Sequence, residues 1–204
     1  MRQLVELGEV TVANWGIFSL EVNSTQKESL ADSLDFRGSG ALRTVITVRD
    51  AAGADGVGRF YAELGARVWD DTKDIRDAAV IEGALVAAGL DPALHAKALA
   101  DDSTWDRVVA EHRALVADTR SFGVPTIRLA GGSGPALFGP VISTVPTNED
   151  AVPLWRSVAF LAGYDNFSEL KRDRTTPPDL EAARFHAAER ARKAAAEAAG
   201  KPGS

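Results

Sequence analysis

The stretch Ser121–Ile142 decides how the rest of the chain is interpreted; it reads S-F-G-V-P-T-I-R-L-A-G-G-S-G-P-A-L-F-G-P-V-I. In it, Gly123-Val124-Pro125-Thr126 ends a long helical region and begins a β-branched run. The glycines that follow favour a turn, and Ala136-Leu137-Phe138 is typical of a returning strand, so the sequence predicts a β-hairpin. A proline at the first position of a strand cannot donate to the sheet, so we expect another group to face it.

Composition limits the classes of function. The chain has 204 residues, of which 45% are hydrophobic and 25% charged, as in a globular protein with a sizeable core. The net charge of −6 argues against a nucleic-acid or general membrane partner. No run approaches the roughly 20 apolar residues of a membrane span, and no basic-then-apolar signal opens the chain. We therefore expect a cytoplasmic protein.

The absence of cysteine from the 204 residues is the most informative feature of the composition. It excludes a disulfide framework, a thiolate nucleophile and a cysteine-ligated metal in this chain. The three histidines, His95, His112 and His186, lie in separate segments without metal-binding spacing, so we expect no metal site. His112 shares an apolar helical face, which favours a packed core residue over a catalyst.

The N-terminal residues resemble the interior of an α/β unit. Met1–Gly8 is typical of a helix end with core-like spacing at Met1, Leu4, Val5 and Leu7, and Gly8 is its stop. The alternating, β-branched Glu9–Leu20 predicts a buried strand. Because parallel strands need helical crossovers, we expect a further strand before Met1. The polar segment Glu21–Gly40 is expected to be a loop.

Helical patterns fill most of the remaining chain. Before the hairpin, helices are predicted over Ala41–Ala52, over Val57–Trp69, from Asp74 to Ala88, from Asp91-Pro92 to Ala100, and from Ser103 onward. After it, Thr147 is expected to cap a helix in which Pro153 predicts a kink or a later start. The Ala-rich Leu180–Gly200 predicts a solvated helix, and Lys201–Ser204 is expected to be disordered.

With this order of elements, the chain resembles the DsbA-like family, and in particular its mycothiol-dependent, nitroreductase-type reductases. Four segments carry the resemblance: Phe18-Ser19-Leu20 leading to Asn23, Gly123-Val124-Pro125-Thr126, Phe138-Gly139-Pro140-Val141, and Glu169-Leu170-Lys171-Arg172-Asp173-Arg174 with Pro177-Pro178. The last is the most diagnostic, since the fold does not require it. The resemblance covers about Met1 to Pro178.

The resemblance implies an α/β, thioredoxin-like fold with a helical insertion subdomain, whose first strand and active-site helix start are missing here. It divides the chain into the N-terminal part of the thioredoxin-like domain (1–40), the insertion (41–120), the C-terminal part (121–178) and an Ala-rich tail (179–204). One sheet would contain residues of about 9–20, 125–130 and 136–139.

The resemblance also implies a thiol-dependent oxidoreductase with mycothiol as co-substrate, an acceptor substrate and no covalently bound cofactor. The Val124–Pro125 bond would be cis and lie at the floor of a cleft, facing the bound thiol. The implied thiol- and substrate-binding residues are Asn23, Trp69, Val124, Pro125, Thr126, Phe138, Gly139 and Pro140. The Cys-Pro-x-Cys-type motif of such enzymes has no counterpart in this sequence, so no catalytic residue is assigned.

Three interpretations remain open at this point. The first is a mycothiol-dependent reductase that is inactive as this Cys-free chain. Its first strand and cysteine motif would either precede Met1 or have been lost. The second is a relative of 2-hydroxychromene-2-carboxylate isomerase or kappa-class glutathione transferase, in which the thiol belongs to glutathione. The third is a non-catalytic binding module. The sequence does not predict the oligomeric state.

Overall fold

Helices make up most of this mixed α/β structure, and its sheet has two short strands. The computed structural model describes residues 1–12 and 14–199, with side chains to Arg192. The helices are α1 Arg2–Glu6, α2 Leu20–Thr25, α3 Leu30–Ser33, α4 Ser39–Gly65, α5 Ala78–Ala87, α6 Ala93–Ala100, α7 Ser103–Thr119, α8 Asn148–Ala162 and α9 Glu181–Ala199; the strands are β1 Thr126–Arg128 and β2 Ala136–Phe138. Among the described residues, no helix is both long and apolar enough to cross a membrane.

The block from α4 to α7 contains the first hydrophobic core. Apolar residues recur at helical spacing on α4 and α5, so Val48, Phe60, Ile81 and Leu85 meet in one fully buried cluster. The two predicted helices over 41–69 are joined as α4, which is interrupted at Gly53 by a backbone with φ +62°. A π-helical segment, Ala66–Asp70, continues from α4.

A second cluster lies where α2, α4 and α7 meet. It contains Ile17, Val22, Ile46, Trp105 and Val108, all at most 3% exposed. The Trp105 indole N–H also donates to the carbonyl of Glu28 at 2.8 Å, which satisfies its polar atom at the edge of the core. This cluster ties the residues before α2 to the helical block.

The predicted hairpin is confirmed. β1 and β2 pair antiparallel, with Ile127 opposite Leu137. The ladder ends at two prolines: the Pro125 carbonyl accepts from Gly139 N–H at 2.9 Å, and the Pro135 carbonyl accepts from Leu129 N–H at 3.1 Å. Because hydrogen-bonded and non-hydrogen-bonded positions alternate along an antiparallel strand, Ile127 bonds to β2 between these two prolines. The N–H and C=O groups of Thr126 and Arg128 therefore point away from β2.

The predicted buried strand over Glu9–Leu20 is wrong, and with it the single sheet that would have included this segment. The described residues of the segment contain no strand, and its last residue, Leu20, begins α2. Instead, Ile17 N–H donates to Glu111 Oε1 at 2.8 Å and Ser19 N–H to His112 Nδ1 at 3.3 Å. Side chains of α7 therefore satisfy the backbone groups that a sheet would have used.

Two further predictions near the N-terminus fail. The expected loop over 21–40 contains α2 and α3, each begun by a serine: Ser19 Oγ accepts from Val22 N–H and Ser29 Oγ from Asp32 N–H. These caps outweigh the polar composition on which the loop was predicted. In α1, which ends before Gly8 as expected, only Leu4 is buried, while Met1, Val5 and Leu7 are over 40% exposed.

Two predicted helix starts also need correction. The helix expected from Asp74 begins at Ala78, because Asp77 caps it and Asp74 instead accepts from Arg76 in the preceding turn. The helix capped by Thr147 begins at Asn148 and continues through Pro153, so it does not start later. Proline has no backbone N–H, so Pro153 cannot donate to the carbonyl of Glu149 four residues earlier. Glu149 lies in the exposed first turn, where water can donate to that carbonyl instead.

The C-terminal region ends in the predicted Ala-rich helix. α9 packs against the π-helical segment Ala66–Asp70, and Ala182 in its first turn is 4% exposed. Upstream, Ser143 holds the chain that leads to α9, because its hydroxyl donates to the carbonyl of Thr176 at 2.7 Å and its carbonyl accepts from Asp179 N–H at 2.8 Å. The disorder predicted for Lys201–Ser204 lies outside the described residues.

Candidate functional site

The candidate site begins where α7 ends. Arg120 closes that helix in the left-handed conformation with φ +53°. The next residue, Ser121, is 6% exposed and hydrogen-bonds through its hydroxyl to that of Thr119. This bond fixes the direction in which the chain leaves the helix. The following segment, Phe122 to Thr126, then runs along the surface.

Two aromatic rings join this segment to β2. The rings of Phe122 and Phe138 lie 4.4 Å apart between centroids, at 34° to one another. Gly123 allows this approach, because a Cβ there would lie 3.3 Å from the Phe138 ring. Phe122 remains 69% exposed and Phe138 38% exposed, so the pair forms an apolar surface open to solvent.

Hydrogen bonds fix the backbone around Pro125. Thr126 Oγ1 donates to the Gly123 carbonyl at 2.9 Å, and Gly139 N–H donates to the Pro125 carbonyl at 2.9 Å. Gly139 has φ +108°, a conformation that L side chains rarely adopt. The Val124–Pro125 and Gly139–Pro140 peptide bonds are both cis. The two proline-containing segments are thus held side by side.

Asn23 reaches the same place from α2. The Ser19 side chain caps this helix by accepting from Val22 N–H at 3.2 Å, and the half-buried Asn23 follows one turn later. Asn23 Nδ2 donates to the Phe122 carbonyl at 3.4 Å. A residue about 100 positions away in sequence therefore contacts the segment before Pro125.

The structure brings most of the predicted site residues together. Seven of them belong to this cluster, hereafter the proline site: Asn23, Val124, Pro125, Thr126, Phe138, Gly139 and Pro140. Trp69 is different. It lies 51% exposed in the π-helical segment that packs against α9, and among the described residues no hydrogen bond or ring contact joins it to the proline site.

The proline site is a surface rather than a cavity. Pro125 is exposed and Val124 is 53% exposed, so the expected place at the floor of a cleft is not observed in the described residues. Two surface depressions lie elsewhere. One is formed by residues 135–137 and 162–168, and the other by Thr144, residues 176–179 and the first turns of α9.

Charge near the proline site is largely neutralised. The Arg128 guanidinium pairs with Asp118 of α7, and its Nε donates to the Gly134 carbonyl at 3.1 Å. Arg128 therefore braces the hairpin against α7. These contacts engage the Arg128 guanidinium.

Sequence reasoning missed three residues that build the site. Phe122 supplies half of the aromatic pair, Ser19 caps the helix that carries Asn23, and His112 accepts from the Ser19 backbone. Serine is among the residues preferred at helix N-caps, which is the signal that could have indicated the role of Ser19. The contact between Phe122 and Phe138 depends on the hairpin register, which has no local sequence pattern.

Comparison with known proteins places the chain in a family. Residues 2–172 match the Rv2466c-like family, described as mycothiol-dependent nitroreductase Rv2466c. A relative is the uncharacterized protein Rv2286c of Mycobacterium tuberculosis, 31% identical over 169 residues, which cover 82% of this chain and 71% of the relative. The family match includes the whole proline site and ends before α9. The chain thus belongs to the Rv2466c-like family of mycothiol-dependent nitroreductases.

Proposed function

We propose that this chain is a DsbA-like, thioredoxin-fold member of the family that binds mycothiol at the proline site. In this proposal, residues 1–40 and 121–178 belong to the thioredoxin-like part and residues 41–120 are the helical insertion. Mycothiol would lie along the Gly123–Thr126 segment, with the acceptor substrate beside it on the Phe122–Phe138 surface.

The observation that carries the proposal is the combination of free peptide groups and apolar rings at one surface. The N–H and C=O groups of Thr126 point away from β2, and the N–H donates no hydrogen bond to any described residue. A cysteine-derived thiol carries amide groups that can pair with such an edge, as an extended peptide does. The exposed rings of Phe122 and Phe138 offer the apolar contact that orients a small ligand.

The chemistry that this chain can supply is limited by its side chains. Thiol–disulfide exchange requires a thiolate that attacks one sulfur of a disulfide and displaces the other as a thiolate. The 204 residues contain no cysteine, so the attacking thiolate would be that of mycothiol itself. We propose that these 204 residues bind the thiol but show no mycothiol-dependent disulfide reductase or nitroreductase activity of their own.

Calorimetric titration with mycothiol tests the binding part. The wild-type chain should bind, and Pro125→Ala should weaken binding about tenfold or more, which corresponds to about 1.4 kcal/mol. Pro135→Ala is the matched control, because both prolines are exposed and each ends the ladder with a bonded carbonyl. Equal effects of the two substitutions, or no binding by the wild type, would refute the site.

An activity assay tests the second part. The chain is incubated with mycothiol and a nitroaromatic or disulfide acceptor, and acceptor reduction is followed against mycothiol alone. No rate above this background is expected, and protein-dependent turnover would contradict the proposal. A calorimetric titration with glutathione distinguishes this proposal from the isomerase or glutathione-transferase interpretation. That interpretation requires the chain to bind glutathione in preference to mycothiol.

A further inference from the structure

His112 occupies a buried position next to the helix that carries Asn23. Its ring on α7 is 5% exposed, and the Phe18 ring meets it edge-on at 4.8 Å between centroids. Its Nδ1 atom accepts from Ser19 N–H at 3.3 Å. Ser19 is the N-cap of α2, so the imidazole holds the residue at which that helix starts.

From this contact a continuous path leads to the proline site. Ser19 Oγ accepts from Val22 N–H at 3.2 Å, which fixes the first turn of α2. The next residue, Asn23, donates from Nδ2 to the Phe122 carbonyl at 3.4 Å. The position of the Asn23 amide therefore depends on the same helix start that His112 holds.

The contact with Ser19 requires one form of the imidazole. Nδ1 can accept a hydrogen bond only when the ring is neutral and its proton is on Nε2. In the imidazolium form both ring nitrogens carry hydrogen, so an N–H at Nδ1 would face the N–H of Ser19. Protonation thus replaces an attractive contact with a repulsive one at the start of α2.

The charged groups of the surrounding elements do not substitute for this contact. They are engaged with other partners: Glu111 with Arg49, Arg107 with Asp50, Arg113 with Glu28, Asp118 with Arg128, and Glu21 with the Gly38 backbone. Burial lowers the pKa of His112 below its ordinary value, so the neutral form prevails near pH 7.

We propose that His112 is a positioning residue of the proline site, whose neutral imidazole holds α2 and thereby keeps Asn23 on the Phe122 carbonyl. Acidification releases this arrangement and weakens ligand binding. The consequence for mycothiol rests on the proposed function, whereas the coupling between His112 and Asn23 is a property of the folded chain.

NMR spectroscopy of the isotope-labelled full chain tests the coupling directly. As the pH is lowered from 8 through the ordinary imidazole pKa of 6.5 and below, the His112 ring nitrogens, the Ser19 amide and the Asn23 side-chain amide should shift with a common midpoint. In His112→Asn, the side-chain oxygen lies close to the position of Nδ1 and can accept from Ser19 but does not titrate, so the Asn23 shift should lose its pH dependence. His95→Asn is the control, because His95 is also buried but contacts Thr44 instead of α2.

A pH-independent Asn23 amide in the wild type, or an unchanged pH dependence in His112→Asn, would overturn the proposal. Mycothiol affinity is the second readout. On acidification it should fall about two- to tenfold in the wild type, the range for one hydrogen bond, and stay constant in His112→Asn. An equal fall in both proteins would also overturn the positioning role. If mycothiol binds at no pH while the NMR coupling is observed, the proposed function fails and the coupling is confirmed.

Discussion

The helical block and the hairpin region differ in whether their largest apolar side chains form a buried core. Between α4 and α7, residues such as Phe60 and Trp105 are at most 1% exposed. In the hairpin region, Phe122 is 69% exposed and Val145 is 80% exposed. The difference indicates that the helical block supplies most of the stability, while the hairpin region exposes apolar side chains at the surface where we propose that mycothiol binds.

The largest expected difference between the two regions comes from replacing one phenylalanine by alanine in each of them. Phe60→Ala should lower the free energy of unfolding by about 3–5 kcal/mol, because it removes a buried ring and leaves a cavity. Phe122→Ala should cost less than about 1 kcal/mol, since most of that ring is already in solvent. Denaturant unfolding of both variants measures the two values. Similar losses would show that the hairpin region is part of the stabilising core.

A pair of arginines sharpens the comparison. Arg43 is 5% exposed and donates to Thr104 Oγ1 at 2.9 Å and to the Ala98 carbonyl at 3.0 Å, so it joins α4 to α6 and α7. Arg43→Ala should cost about 3 kcal/mol, because buried acceptors lose their donor. In Arg128→Ala the expected cost is about 0–1 kcal/mol, as for an exposed ion pair. Thermal and denaturant unfolding should rank the variants in this order, and the reverse ranking would contradict it.

The two regions also differ in how far the sequence predicts them. The helical block follows from apolar spacing and from stops such as Gly89, both of which are local in sequence. The hairpin follows from Gly131 to Gly134 between two short β-branched or apolar runs. In both regions the type of element is therefore predictable, although Asp77 rather than Asp74 begins α5.

The failed predictions depend on contacts between distant residues. Alternation over Glu9–Leu20 predicted a strand, and only the position of Glu111 and His112 shows that side chains of α7 bond to the backbone of Ile17 and Ser19 instead. The structure brings the predicted residues near the hairpin and Asn23 next to one another. Trp69 was grouped with them through family resemblance, and in the structure it belongs to the π-helical segment that packs against α9.

Stability should depend on pH through the buried histidines. Burial lowers the pKa of His95 below its ordinary value of 6.5, so the unfolded chain binds a proton more readily than the folded chain. The free energy of unfolding should therefore be greatest above this value and decrease as the pH falls through it. His95→Gln should reduce that decrease. Urea unfolding of the wild type and the variant at a series of pH values measures the slopes, and equal slopes in the two proteins would refute the assignment.

The central claim is that mycothiol binds at the proline site. Its most direct test is a map of amide chemical shifts in the labelled chain during titration with mycothiol. The predicted result is saturable changes at Val124, Thr126, Gly139 and the Asn23 side chain, with Phe60 and its neighbours unaffected. Changes confined to the helical block or to α9, with the proline site unperturbed, would contradict the account.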